Sequence, residues 1–166
     1  MATEDKETMT YIIRAATLED AYIIAPLLRE SDKNEIKALI GWSPKTALSF
    51  SIQNSDKAYI AFRSDGTPLS IFGVGGSEES GGIPWMVATD ELKRSAKDFI
   101  RLARVWIKGW MQEYNTLSNY VDARNTVHIN WLTHMGFTVV EEPHYIGKDP
   151  DVPFYFFFRR DECASC

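Results

Sequence analysis

Apolar residues recur along the chain with two spacings, which separate predicted strands from predicted helices. Short alternating runs rich in β-branched and aromatic residues predict strands. Apolar residues three and four positions apart predict helices. The strand segments are residues 11–15, 58–62, 68–74, 83–88, 117–121, 137–140 and 154–158. The first helical segment starts near residue 17, and a second piece of it runs through 36–40. Three further helices start near residue 43, near residue 91 or 95, and near residue 125.

Residues that start and stop helices support these boundaries. Thr17 is followed by an acid three positions on, as in a relative of the capping box. Ser43 and Pro44 form a strong helix start, because proline is tolerated in the first turn. Asn125 is a favoured N-cap, and Gly136 stands where a helix stop belongs. The segment NTVHINWLTHMGF is therefore predicted to be a short capped helix that leads into a strand.

Glycines mark two connections between strands. Asp65-Gly66 lies between two alternating runs and predicts an antiparallel hairpin. Residues 75–82, GGSEESGG, predict a flexible acidic loop. This loop is not a phosphate loop, because it lacks Gly-Lys-Ser/Thr and its two glutamates repel phosphate.

The order of elements, β-α-α-β-β-β-α-β-α-β-β, predicts the architecture. Helices on the faces of one sheet are the economical packing, so we expect an α/β (α+β) fold with a mixed, mostly antiparallel central sheet. The strand near residue 85, the long helix and the strand near residue 120 predict a right-handed crossover. Residues 11–160 form the predicted single domain, between a disordered tail over 1–10 and a tail over 161–166.

Composition narrows the class of protein. The chain has 166 residues, of which 45% are hydrophobic and 13% aromatic, so it can bury a core. A net charge of -5 argues against a general nucleic-acid or anionic-membrane surface, although it leaves room for a local basic patch. There is no apolar run of about 20 residues for a membrane span, and the polar N-terminus lacks a signal core. We expect an intracellular protein.

Cysteine and histidine spacing predicts no metal site. Cys163 and Cys166 form a C-x-x-C, which can bind a metal or cycle as a disulfide, but two further zinc ligands are missing. We expect free thiols in a tail. His128 and His134 are six positions apart, on different faces of a helix. A hydrolase triad is also not predicted, because the chain has no G-x-S-x-G.

Two features are candidates for chemistry. Residues 93–97, KRSAK, stand where a strand gives way to the long helix, and free N–H groups there can hold an anion. The alternative is an ordinary charged first turn. Asp122 lies on or just beyond the predicted strand 117–121 and His128 in the helix after it, so both can face one cleft. The candidate acids and bases are Glu78, Glu79, Asp90, Glu91, Asp122 and His128, and each can instead be a solvated or structural group.

The segment LSNYVDARNTVHINWLTHMGF resembles the last conserved motif of the GNAT superfamily of acyl-CoA-dependent N-acetyltransferases. That motif reads as a strand, an Asn, a short apolar helix and Gly-Phe, and Asn125 and Gly136-Phe137 match it. The resemblance implies a GNAT-like fold over residues 10–160, with acetyl-CoA bound between two splayed strands and its pyrophosphate held at the start of the long helix. It implies an amine substrate, either a small molecule or a protein. The cofactor-binding candidates are Val87, Arg94, Ser95, Ala96, Lys97 and Asn125, and the catalytic candidates are His128, Asp122 and Glu79.

Two family marks are missing from the chain. The phosphate signature, Arg/Gln-x-x-Gly-x-Gly/Ala, is absent, since residues 93–98 contain no glycine. A Cβ atom obstructs close approach of the backbone to a pyrophosphate. Many family members have a tyrosine seven residues after the motif Asn, and this chain has Leu132, which cannot donate a proton.

A resemblance to a narrower family accounts for a chain that keeps the fold motif and lacks these two marks. The string NTLSNYV-x3-NT-x-HI-x2-L is similar to a GNAT-like family of short-tailed lytic phages, described as an internal virion protein needed for particle assembly or as a phage acetyltransferase. Two hypotheses follow: an N-acetyltransferase, or a catalytically silent assembly protein that contacts phage or host proteins. A third, a protein that blocks or modifies a host factor, stays open. We expect it in the host cytoplasm, with association to the virion under the assembly hypothesis. Candidate anchors for such contacts are Trp42, Trp110, Tyr145 and Tyr155, with the alternative that most of them are core residues.

Overall fold

The computed structural model describes residues 11–77 and 79–160. Seven strands lie in these ranges: Tyr11–Ala15 (β1), Lys57–Arg63 (β2), Pro68–Ser77 (β3), Gly81–Ala88 (β4), Thr116–Asp122 (β5), Thr138–His144 (β6) and Phe154–Arg160 (β7). The α-helices of the same ranges are Leu18–Ile24 (α1), Glu30–Ile40 (α2), Pro44–Gln53 (α3), Ala96–Tyr114 (α4) and Thr126–His134 (α5). Short 3-10 helices cover Ala25–Leu27 and Asp90–Ser95. The predicted tails, Glu78 and both cysteines lie outside the described residues.

The described strands form one sheet with the order β1-β2-β3-β4-β5-β7-β6. Neighbouring strands are antiparallel, except for the parallel pair of β4 and β5, which α4 connects. The prediction of a mixed, mostly antiparallel sheet with flanking helices is confirmed.

Helices cover both faces of the sheet. Ile71 and Phe72 are neighbours on β3 and point to opposite faces, because side chains alternate along a strand. Phe72 belongs to the core under α4 and α5, and Ile71 to the core under α1 and α3. Trp110 is 6% exposed in the first core, so of its two predicted alternatives it is a core residue and not a surface anchor.

The segment predicted as a flexible acidic loop is largely a continuation of β3 and β4, so that prediction is wrong. Gly76 pairs with Gly82, and Ser77 pairs with Gly81. Gly76 has a φ of +130°, and a Cβ atom there would lie 2.2 Å from the carbonyl oxygen of Gly81. The glycine is therefore required for close approach of the two strands.

We expect Gly76→Ala to lower the free energy of unfolding by at least about 1–3 kcal/mol, from the positive φ alone. Gly109→Ala is the matched control, since a Cβ atom there meets nothing within 4 Å. Alanine in a helix interior is expected to stabilise by about 0.5–1 kcal/mol. Urea denaturation of both variants measures the two changes. Equal effects of the two substitutions would contradict the strand pairing at Gly76.

β4 and β5 separate soon after they meet. Among the described residues they pair at a single position, Gly82 with Leu117. Pro84 follows on β4 and has no N–H to donate to β5. Its carbonyl oxygen instead accepts a hydrogen bond from the side-chain amide of Asn119, at 3.0 Å. The two strands therefore diverge toward their carboxyl ends, which is where open sheets bind ligands.

Candidate functional site

A cavity of about 190 Å³ lies at the gap between β4 and β5. From one side of the sheet, α2 and α3 line it with Glu35, Ile36, Leu39, Ile40, Ala47, Leu48 and Ser51. From the other side, α4 lines it with Phe99, Leu102, Ala103, Trp106, Ile107 and Trp110. The strands and α5 add, among others, Trp85, Met86, Val87, Asn119, Tyr120, His128 and Leu132. The walls are predominantly apolar with a few polar groups, as is usual for ligand sites.

Glu35 and His128 bring a carboxylate and an imidazole to the wall of this cavity. Nδ1 of His128 lies 3.9 Å from Oε2 of Glu35, and the two side chains are 10% and 17% exposed. Of the described residues that line the cavity, Glu35 is the only acid and His128 the only histidine. Because both are largely shielded from water, their electrostatic interactions are stronger than those of surface groups.

A buried ion pair at the start of α2 attaches this helix to the end of β4. Nε and Nη2 of Arg29 donate to Oδ2 of Asp32 at 3.1 and 2.9 Å. Their side chains are 7% and 2% exposed. The carboxylate of Asp32 also accepts a hydrogen bond from the backbone N–H of Ala88, at 2.8 Å. Buried charges are tolerated when they are paired and hydrogen-bonded in this way.

Asn125 connects the buried ion pair to Glu35 and His128. Its side-chain Nδ2 donates to Oδ1 of Asp32 at 3.1 Å and to Oε2 of Glu35 at 3.0 Å. Its Oδ1 accepts from the backbone N–H of His128 at 3.2 Å, so Asn125 is the N-cap of α5, as predicted. This network joins α2, the end of β4 and the start of α5. It makes Asn125 a positioning residue for Glu35.

Two predicted catalytic residues lie away from the cavity lining. Asp122 is buried, and Nε and Nη2 of Arg124 hold its carboxylate at 3.0 and 2.6 Å. This hydrogen bonding raises the pKa of Arg124. Glu79 is exposed in the turn between β3 and β4. His128 is the predicted catalytic residue that the structure places on the cavity, and all three catalytic roles stay predictions.

The predicted cofactor-binding residues fall into two groups. Val87 lines the cavity, and Asn125 contacts the cavity residue Glu35. The second group, at the start of α4, is absent from the cavity lining: Arg94, Ser95, Ala96 and Lys97. Arg94 and Lys97 of this group are exposed.

The turn into α4 does not fit a pyrophosphate. Residues 90–95 form a 3-10 helix that begins with two acids, Asp90 and Glu91. Nη2 of Arg63 holds the carboxylate of Glu91 at 3.2 Å. Side chains on every residue of this turn keep an anion away from the backbone, and the acids repel it. The exposed side chains of Arg94 and Lys97 can attract an anion, but the backbone of this turn does not enclose it.

The edge of β4 that faces the gap does fit the amide groups of an extended ligand. The backbone N–H of Ala88 points toward α2, where it donates to Asp32. Because strand backbones alternate, the N–H and C=O of Met86 point the same way, into the gap. In the described part of the chain, no β5 residue pairs with Met86. An amide-bearing chain such as the pantetheine arm of coenzyme A can hydrogen-bond to this edge as an added strand does.

Glu35 is the candidate that sequence reasoning missed. Asp32, Glu35 and Leu39 are three and four positions apart, so they share one side of α2. Acidic residues on the side of a helix that is expected to be apolar are the sequence signal that points to Asp32 and Glu35.

Other sites are not found in the described ranges. Within residues 11–77 and 79–160, no three His, Cys, Asp or Glu side chains are grouped as metal ligands. No helix in the same ranges is long and apolar enough to cross a membrane. His134 is exposed, with its Nδ1 2.7 Å from the carbonyl oxygen of Asn130.

Comparison with solved structures confirms the GNAT acyltransferase fold. The phosphinothricin acetyltransferase of Sinorhizobium meliloti, solved with AcCoA, has a TM-score of 0.69 and 16% identity, over 92% of this chain and 89% of that one. An N-acetyltransferase from Staphylococcus aureus Mu50 has a TM-score of 0.66 and 16% identity, over 91% and 98%. A mutant of the spermidine N-acetyltransferase SpeG from Vibrio cholerae has a TM-score of 0.66 and 9% identity, over 90% and 93%.

The sequence places the chain in a phage family. The profile of the family described as "Bacteriophage T7, probable scaffold protein Gp13" matches residues 58–144, more than half of the 166 residues. The chain belongs to this family. The matched segment includes β4, α4, β5 and α5, and thus both strands of the gap. No curated protein sequence matches the chain.

Proposed function

We propose that the protein transfers an acetyl group from acetyl-CoA to a primary amine in the cavity between β4 and β5. The observation that carries this proposal is the Glu35–His128 pair, 3.9 Å apart on the wall of a mainly apolar cavity. Amines are protonated at neutral pH and must lose a proton before the nitrogen can attack a thioester. A carboxylate next to an imidazole supplies the proton acceptor that this reaction needs.

Glu35 and His128 bind the amine and carry out the proton transfers in this proposal. Glu35 attracts the ammonium group, and Glu35 and His128 accept the two protons that the nitrogen loses as it becomes an amide. The nitrogen forms a bond to the thioester carbonyl carbon, and the C–S bond breaks. One proton goes to the leaving thiolate, and the other is released to water. Leu132 cannot donate a proton, and in this proposal the same pair returns the one that the thiolate takes.

The acyl donor is held mainly by its pantetheine arm in this proposal. The backbone of Met86 orients the amide groups of the arm, and the apolar walls exclude water from the thioester. Arg94 and Lys97 attract the phosphates only as exposed charges, which are screened by salt.

A second candidate is a non-catalytic role in phage particle assembly. The description of the family as a probable scaffold protein favours it, as does the turn into α4 that does not fit a pyrophosphate. Contacts with phage or host proteins would then carry the function. Trp42 and Tyr145, which are 43% and 61% exposed, are suitable anchors. Both candidates place the protein in the host cytoplasm during infection, and the second also associates it with the virion.

Thiol release from acetyl-CoA and from S-acetylpantetheine, each with a panel of primary amines, tests the first candidate against the second. We expect amine-dependent release from both donors. Their kcat/KM values should differ by less than about tenfold, which corresponds to about 1.4 kcal/mol in activation free energy. The difference should be small because the turn into α4 does not fit the phosphates that only acetyl-CoA carries. No release from either donor, together with defective particles from a phage that lacks the gene, would favour the scaffold role and reject the transferase.

A further inference from the structure

We infer that the acceptor is an aliphatic primary amine with a single positive charge, whose ammonium group lies at Glu35 and whose apolar body fills the α2–α3 side of the cavity. This inference rests on the proposed function for its site and deepens it by naming the class of amine. Glu35 is the sole acid among the described lining residues, and the wall beside it is built by Ile36, Leu39, Ile40 and Leu48.

The described lining of the cavity contains one carboxylate, so it can neutralise one ammonium group. Asn125 donates to Oε2 of Glu35, and His128 lies next to the same atom, so this carboxylate is held at a fixed place on the wall. A cation that reaches it gains a desolvated, charge-assisted contact. A second ammonium group would face apolar side chains, and an unpaired charge in such surroundings is strongly unfavourable. Polyamines and aminosugars are therefore poor acceptors.

The charges of the lining also exclude amines that carry a negatively charged group. No lysine or arginine is among the described residues that line the cavity. The carboxylate of a free amino acid would have no partner there and would be repelled by Glu35. An alkyl chain, by contrast, gains binding free energy from each methylene group that it buries. The site therefore selects for an apolar chain that ends in one amine, either in a free alkylamine or in the side chain of a protein lysine.

Calorimetric titration without any acyl donor tests the inference, with hexylamine, N-acetyl-lysine methylamide, spermidine and hexanol as probes. We expect one of the two monocations to bind at least about tenfold more tightly than both hexanol and spermidine. That preference should be lost in Glu35→Gln and kept in Glu30→Gln, which removes an exposed acid from the same helix. Tighter binding of hexylamine identifies a free amine as the source, and tighter binding of the lysine analogue identifies a protein lysine.

Two results would overturn the inference: spermidine binding as tightly as the better monocation, or hexanol doing so. Either result leaves the proposed acetyl transfer open, because the titration contains no donor. Conversely, selective binding of a monocation with no transfer from any thioester would reject the transferase while the ligand class stands. Thermal unfolding of Glu35→Gln, which keeps an oxygen acceptor for Asn125, shows whether the variant is folded.

Discussion

Asp32→Ala is expected to lower the free energy of unfolding by about 3–5 kcal/mol, because it leaves the buried guanidinium of Arg29 without its partner. The side chains of Arg29 and Asp32 are 7% and 2% exposed, so water does not replace the lost carboxylate. The substitution also removes acceptors from the backbone N–H of Ala88 and the side chain of Asn125. An unsatisfied buried donor adds to the cost.

Urea denaturation of Asp32→Ala, Arg29→Met and the double variant measures this effect. The double variant should lose less stability than the sum of the single variants, since replacing both members of a buried pair leaves no unpaired charge. Glu30→Ala is the control on the same helix, where loss of an exposed first-turn acid should cost about 0.3–1 kcal/mol. If Asp32→Ala cost no more than this control, the network would not hold α2 against β4.

Glu35→Gln is expected to lower kcat/KM for amine acetylation by about 10²–10⁴-fold at neutral pH, the usual contribution of a general base. Glutamine has nearly the same shape and keeps an oxygen acceptor for Asn125, but it can neither take a proton nor attract an ammonium group. The change should therefore reduce activity without a comparable loss of stability. Thiol release from acetyl-CoA in the presence of an alkylamine, followed over a range of pH values, measures it.

Glu30→Gln is again the matched control and should leave kcat/KM unchanged. A separate comparison with His128→Gln shows whether the imidazole takes part in proton transfer. If it does, the pH profile changes shape; if it only packs beside Glu35, the profile is kept. Transfer by Glu35→Gln within about threefold of the unmodified protein would place the base elsewhere.

Much of the fold could be predicted because its signals are local. The helix start at Ser43-Pro44 and the strand at residues 11–15 were predicted within one residue of their observed bounds. The cap at Asn125 and the glycine stop at Gly136 also lie where the sequence placed them. Caps, turns and apolar spacing act over three or four residues, so they can be read from one sequence. Residues 75–82 were predicted wrongly because their glycines serve strand pairing, and composition alone does not distinguish that from flexibility.

The candidate site was only partly predictable, because it depends on contacts between distant segments. His128 was chosen from its position in the helix after a strand, and Val87 from the resemblance to GNAT proteins, and both line the cavity. Glu35 was missed because its partner Asn125 lies 90 positions away along the chain. The case of Asp122 is different, because its partner Arg124 is only two positions away: an Asp-x-Arg spacing alone does not show whether the two side chains pair or whether the carboxylate faces a substrate.

Calorimetric titration with acetyl-CoA of the unmodified protein, Ala103→Trp and Arg94→Glu tests most directly whether the β4–β5 gap binds the donor. Ala103 lines the gap from α4, and tryptophan there fills the space, whereas Arg94 lies at the helix start outside the lining. We predict binding that Ala103→Trp weakens by more than about tenfold and that Arg94→Glu weakens by less. Thermal unfolding confirms that both variants fold. Absence of binding to the unmodified protein, or binding lost in Arg94→Glu and kept in Ala103→Trp, would contradict a donor site in the gap.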